Sequence, residues 1–281
     1  MMKRLPSGIR KLLIVLVSVA FSLLLLNYVL WLTSPLGYYN EKYNIWFLQE
    51  ISHPHETGYQ YEPGHYILAG FDVTVLPDGL RDVPDNNDSS GCTIAFVGDS
   101  LTWGSGVNDA DTFVNILADE FDIHALNTGR NGYNATQVLQ AINHYDADGY
   151  IYLHIHNDAD IGLRYEDYSS GPKPNALLVY LDAARKQLSG EQIKYSGPLD
   201  MDSYHEAIQQ IVQVPNMLMF SFAFNEIDTM AIEDYGATFI ERYTDTVSYV
   251  DGHPNAKGHA FIAEQMRPHI ESWLPSVCES A

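Results

Sequence analysis

A chain of 281 residues has room for one large domain or two small ones, and 46% hydrophobic with 12% aromatic residues is the composition of a folded protein with a sizeable core. Its formal net charge of −21 at pH 7 argues against nucleic acid as a partner, which would require a basic face. Acidity of this degree reads as a solvated, self-repelling surface. There is no internal period, heptad pattern or Gly/Ser-rich linker.

In chain order, the first element is an uncharged apolar stretch from Leu12 to Leu32, long enough to cross a bilayer. Lys3, Arg4, Arg10 and Lys11 precede it, which places the N-terminus in the cytoplasm by the positive-inside rule. The stretch exceeds the apolar region of a typical secretory signal, and no A-x-A cleavage pattern follows it. Trp31, Tyr38 and Tyr39 fall where an interfacial aromatic belt would lie. The expectation is a single-pass signal anchor over residues 1–34 in the cell membrane, with the rest periplasmic or extracellular; a cleaved signal is the alternative. Residues 35–91 are rich in Tyr, Gly, Pro and His and contain FDVTVLPDGL, a strand closed by a Pro-Asp-Gly turn. They read as a short β-rich, membrane-proximal lead-in, ending in the polar connector DVPDNNDSSG (82–91).

From Cys92 the pattern alternates. Strands are expected at 93–98, 122–127, 149–155, 216–224 and 247–250. Helical periods fall near 110–120, 134–145, 175–189, 203–213, 230–242 and 258–273. Alternating strands and helices imply βαβ crossovers and a parallel five-stranded sheet covered on both faces, an α/β domain over 92–281. Chemistry in such sheets gathers at the carboxyl ends of the strands.

Four polar clusters open at that rim: GDSL (98–101), NTGRNGYN (127–134), HIHND (154–158) and DGHPN (251–255). A serine hydroxyl needs a base to take its proton during attack, and His253 is of the right type. Asp251 is placed to hold the imidazole tautomer. Developing charge on an attacked carbonyl needs fixed donors, each worth roughly 3–4 kcal/mol. The candidates are the backbone N–H of Ser100, the backbone N–H of Gly132 and the side-chain amide of Asn157. Asp99, His156 and Asp158 are candidates to line the substrate.

These blocks, GDSLTWG, NTGRNGYN, HND and DGHPNAKGH, resemble in order the blocks of the SGNH or GDSL hydrolases. The resemblance spans about residues 92–281. It implies a three-layer α/β/α flavodoxin-like sandwich, a Ser nucleophile, an oxyanion hole with a Gly and an Asn, and hydrolysis or transfer of acyl groups. By position those roles fall on Ser100, Gly132, Asn157, Asp251 and His253. Two departures stand out. The Asp-Gly-His spacing is one residue shorter than the usual Asp-x-x-His, and His156 replaces a common glycine, which narrows the acyl pocket. The segment LPDGLRD is similar to lead-in segments of membrane-anchored relatives.

The implied activity is a serine esterase acting on an acyl ester, such as O-acetyl on an envelope or extracellular glycan, with no cofactor. An O-acyltransferase using the same residues and an inactive glycan-binding envelope protein are the alternatives. His154, His156 and Asp158 share one strand face, but no fourth ligand stands near, so no metal is expected. Nucleotide binding is excluded because Asp99 would repel phosphate and residues 98–106 contain no Lys or Arg. His259 is expected at the surface or as a capping residue. Asn225, Glu226 and Asp228 are expected at a helix start or against substrate. Cys92 opens the first strand and Cys278 closes a helix returning to that end, so a disulfide between them is expected in an oxidising compartment.

Overall fold

A computed structural model describes residues 6–34, 37–68, 70–86, 91–159, 172–189, 200–222, 235–247 and 252–278. The chain forms two compact units. The first draws on 1–46, 171–193 and 248–251, and the second on 47–170, 194–247 and 252–281.

In the first unit, α1 (Ser7–Thr33) is 27 residues long and has no buried residue. Its mean hydropathy reaches 2.6, so it is long and apolar enough to cross a membrane; a signal sequence has the same properties. The Asn27 side-chain carbonyl accepts from the Leu177 backbone N–H at 3.0 Å, near the start of a later helix of this unit, Ala176–Ser189.

The lead-in differs from a purely β-rich segment. It begins with a helix, α2 (Tyr38–Glu50), which runs through a stretch free of Gly and Pro. Two antiparallel hairpins follow, β1 (Ser52–His55) with β2 (Gly58–Tyr61), and β3 (Gly64–Leu68) with β4 (Phe71–Val75). After the turn at Pro77–Gly79 the chain pairs at Arg81 with Asn127. Beyond that, the side chain of Asn86 both donates to and accepts from the backbone of Ala125, at 3.1 and 2.5 Å. The described part of the connector is thus bound along a sheet edge.

The second unit is built on a parallel sheet of β5 (Thr93–Gly98), β6 (His124–Asn127), β7 (Gly149–His154), β8 (Met217–Phe222) and β9 (Thr238–Ile240). Its order is β6-β5-β7-β8-β9, a doubly wound arrangement whose switch point lies between β5 and its two neighbours. Ile94, Phe96, Ile151, Leu153, Phe220 and Phe222 feed one core, sealed by α4 (Phe113–Phe121) and α8 (Ala256–Cys278). Ala95, Val97, Tyr152 and Met219 feed the other, sealed by α5 (Ala135–His144), α7 (Met201–Ile211) and the lead-in. The Ala176–Ser189 helix of the first unit is α6.

One strand and one helix stand differently from the sequence pattern. Of the helix expected over 230–242, the described part, 235–242, holds β9 at 238–240 instead, where Thr-Phe-Ile is β-branched and aromatic and pairs in parallel with Phe220–Phe222. Of the strand expected at 247–250, Val247 sits in a bend and 248–250 lie outside the described residues; the fifth strand among the described residues is β9. At the amino end of the sheet, Cys92 and Cys278 are joined by a disulfide with Cα atoms 5.4 Å apart.

Candidate active site

β5 ends at Gly98, and a four-residue helix, α3 (Ser100–Trp103), follows at once. A side chain at Gly98 would put its Cβ 2.3 Å from Thr102 Oγ1, so glycine alone permits this abrupt turn. Asp99 caps the short helix, its Oδ1 accepting from Leu101 N at 2.9 Å. Ser100 is thereby lifted to the carboxyl rim.

His253 arrives from the other end of the sequence. Its carbonyl accepts from Val247 N at 2.9 Å, and the Tyr243 hydroxyl donates to the Gly252 carbonyl at 2.8 Å. Asn255 then caps α8, accepting from Lys257 N and Gly258 N at 3.0 and 3.1 Å, while its amide donates to Thr246 O at 2.9 Å. Held on both sides, the imidazole sets Nε2 2.9 Å from Ser100 Oγ, across 153 residues of chain. Asp251 lies outside the described residues.

Asp99 stands beneath this pair rather than lining the site. It is 1% exposed, and its Oδ2 accepts from Ser100 Oγ at 3.1 Å and from the Asn157 amide at 3.2 Å. Burial raises its pKa above the ordinary carboxylate value, partly countered by the Leu101 N–H, the Asn157 amide and nearby His253. Asn157 sits in a 3₁₀ turn, His156–Ala159, that leaves the end of β7. One amide hydrogen is taken by Asp99, and the amide carries a second. Its Oδ1 is buried and has no partner among the described residues.

Asp158 also departs from the expected lining role. It is buried, and its Oδ2 accepts from the Tyr152 hydroxyl at 2.7 Å and Ile155 N at 2.9 Å, locking the turn from below. His154 is buried too, with Nδ1 2.9 Å from Ser221 Oγ and Nε2 3.0 Å from the Tyr204 hydroxyl. Both ring nitrogens are engaged, as suits a structural histidine. His156 opens the turn that carries Asn157.

Gly132 lies in the turn after β6 with φ +74°, a conformation that favours glycine. Its neighbour Asn131 accepts through Oδ1 from Ser105 Oγ at 2.5 Å, and Ser105 N donates to Ser100 O at 3.0 Å. The Gly132 turn is therefore fastened to the loop that follows the serine. Asn134 closes the turn by capping α5 in a capping box with Gln137.

Several supporting residues carried no signal in the sequence. Arg81 is fully buried; it forms a salt bridge with Asp109 at 2.8 Å and donates to the carbonyls of Trp103, Gly104 and Val107 at 2.5–2.7 Å. Arg130 is buried against the Trp103 and Tyr61 rings and donates to Gly79 O and Gly129 O. His259, expected at the surface, is fully buried: its Nδ1 accepts from Phe113 N at 3.1 Å at the start of α4, and its ring stacks on Phe113. Asn225, Glu226 and Asp228 lie outside the described residues.

Among the described residues, one group has the type and spacing of metal ligands: His55, Glu56 and His144, with ligand atoms within 4.8 Å of one another. There His144 pairs with Glu56, and His55 Nδ1 bonds Thr57 Oγ1 at 2.9 Å.

No protein-family model matches the chain, and a search of curated proteins finds no match. Similar solved structures are an esterase, EstA, from Pseudoalteromonas sp. (17% identity, TM-score 0.39, covering 65% of this chain and 98% of that one); a carbohydrate acetylesterase, Est24, from Sinorhizobium meliloti (11%, 0.40, 64% and 99%); and a family two carbohydrate esterase from Clostridium thermocellum (15%, 0.40, 65% and 64%). At these identities and TM-scores, the functional reading rests on the site's own residues.

Proposed function

We propose that this chain is a serine ester hydrolase of the SGNH kind. The observation that carries this reading is the 2.9 Å approach of His253 Nε2 to Ser100 Oγ at the carboxyl rim of the sheet. Nucleophile and base within hydrogen-bond reach are what acyl transfer through serine requires.

In this reading the Ser100 hydroxyl turns its one hydrogen from Asp99 Oδ2 to His253 Nε2, which takes it as Oγ attacks the ester carbonyl. The oxyanion is met by Ser100 N–H, Gly132 N–H and the second N–H of the Asn157 amide. The tetrahedral intermediate collapses, the C–O bond to the alcohol breaks, and His253 returns the proton to the departing oxygen. A water then gives its proton to His253 as it attacks the acyl-serine; the acyl–Oγ bond breaks, His253 returns the proton to Ser100 Oγ, and the acid leaves. The role proposed for Asp251, two residues before His253 and outside the described residues, is to stabilise the charged imidazole.

The substrate we propose is a short acyl ester carried on an envelope or extracellular glycan. The support is positional: α1 suits a membrane anchor, the basic residues before it favour a cytoplasmic N-terminus, and the Cys92–Cys278 bond fits an oxidising space. The test is hydrolysis of p-nitrophenyl acetate and of an acetylated oligosaccharide by wild type and Ser100→Ala. Release of p-nitrophenol and acetate by wild type alone supports the proposal, and equal release by both proteins contradicts it.

A further inference from the structure

Gly132 and Asn131 share one peptide group: the carbonyl of Asn131 and the N–H of Gly132 are its two ends. The peptide is trans, since the described backbone contains no cis bond, so the two ends point in opposite directions. On the carbonyl side stands Tyr59 of β2, fully buried, whose hydroxyl donates to Asn131 O. The lead-in hairpin thus reaches the back of the peptide whose front is the candidate oxyanion donor.

The tyrosine is itself held firmly. Its ring meets Tyr133 edge-on at 5.3 Å and Tyr61 at 5.7 Å. The Tyr133 hydroxyl donates to the Tyr59 carbonyl at 2.7 Å and lies 2.9 Å from Thr57 Oγ1. Tyr59 and Tyr133 therefore interlock across Gly132, each hydroxyl bonded to backbone on the other's side. Gly132, at φ +74°, has no side chain to hold its peptide plane, and this interlock bears on that peptide from behind.

We infer that Tyr59 is a positioning residue for catalysis, acting through the Asn131–Gly132 peptide; the inference rests on Gly132 serving as oxyanion donor. Donation to the carbonyl fixes the peptide plane and, by polarising the amide, makes its N–H a better donor. The lead-in is then part of the catalytic apparatus, because it supplies the rear of the oxyanion hole. A full oxyanion donor is worth about 10²–10³ in kcat, so loss of its alignment and polarisation is expected to cost about tenfold.

Tyr59→Phe removes the hydroxyl and keeps the ring. The expected result is kcat for p-nitrophenyl acetate down about tenfold with KM nearly unchanged. The preference for an ester over its thionoester, whose sulfur accepts hydrogen bonds poorly, is expected to fall by a similar factor. An ester preference in Tyr59→Phe equal to wild type overturns the inference while leaving the serine mechanism standing; absence of Ser100-dependent hydrolysis in wild type overturns both. If Tyr59→Phe does not fold, 3-fluorotyrosine at position 59 retains a more acidic hydroxyl. A raised ester preference then supports the inference, and an unchanged one overturns it.

Discussion

The Asn157 amide donates to Asp99 Oδ2 at 3.2 Å, so the turn after β7 is tied directly to the residue that precedes the candidate nucleophile. The same carboxylate oxygen accepts from Ser100 Oγ. One buried acid therefore spaces the serine and the amide that would receive the oxyanion. Asn157→Ala is expected to lower kcat for p-nitrophenyl acetate by about 10²–10³ with little change in KM, the mark of an interaction made only in the transition state. Its thermal midpoint is expected to fall as well, because the buried Asp99 Oδ2 loses the Asn157 donor.

Arg81 holds the loop that follows the serine through the Asp109 carboxylate and three carbonyls. Arg81→Met would leave a buried carboxylate without its cation, and losing one partner of a buried pair typically costs about 3–5 kcal/mol. Urea unfolding of this variant is expected to show a loss in that range. Arg81→Lys is not expected to restore it, since one ammonium cannot reproduce the planar fork that serves four acceptors.

The sheet and the rim were legible in the sequence because their signals are local. Apolar runs at 93–98 and 149–154 stop at polar clusters, and a parallel sheet forces those ends to one side. The Ser100–His253 meeting follows from that topology. What was not legible depends on partners far along the chain. Nothing near Tyr59 marks it as facing Asn131, and Arg81 resembles any turn arginine until Trp103, Gly104 and Val107 turn their carbonyls toward it. His259 looked like an exposed helical residue because its burial comes from Phe113, 146 positions away. β9 was hidden for the opposite reason: Thr238–Ile240 is too short to show a period, and only pairing with β8 makes it a strand.

His259 makes the fold sensitive to acid. Burial, with Arg81 and His253 nearby, lowers its pKa from 6.5 to about 3. The unfolded chain's imidazole takes a proton below about pH 6.5 while the folded one stays neutral to about pH 3. The contribution to stability is thus complete above 6.5 and is lost as pH falls toward 3. At about 1.4 kcal/mol per pH unit, stability from this group is expected to drop by about 2–3 kcal/mol between pH 7 and pH 4.5. Chemical denaturation at both values, in wild type and His259→Leu, measures it: the variant is less stable at pH 7 and is expected to lose less on acidification.

The disulfide closes a loop with a sequence separation of 186, at the end of the sheet opposite Ser100. The chain-entropy model assigns a loop of that length about 5 kcal/mol, and removing a native bridge typically costs about 2–5 kcal/mol. Cys278→Ser is expected to lose stability in that range while keeping kcat at 25 °C, because no catalytic group touches the bond. A fall in kcat without a fall in stability would show that the amino end of the sheet communicates with the rim.

The central claim is that Ser100 is activated by His253, and a fluorophosphonate probe tests it most directly. Wild type is expected to be labelled at one site, with the adduct on the Ser100 peptide by mass spectrometry. Ser100→Ala should take up none, and His253→Ala should react at least a hundredfold more slowly. Labelling at another residue, or undiminished labelling after loss of the imidazole, would contradict the claim.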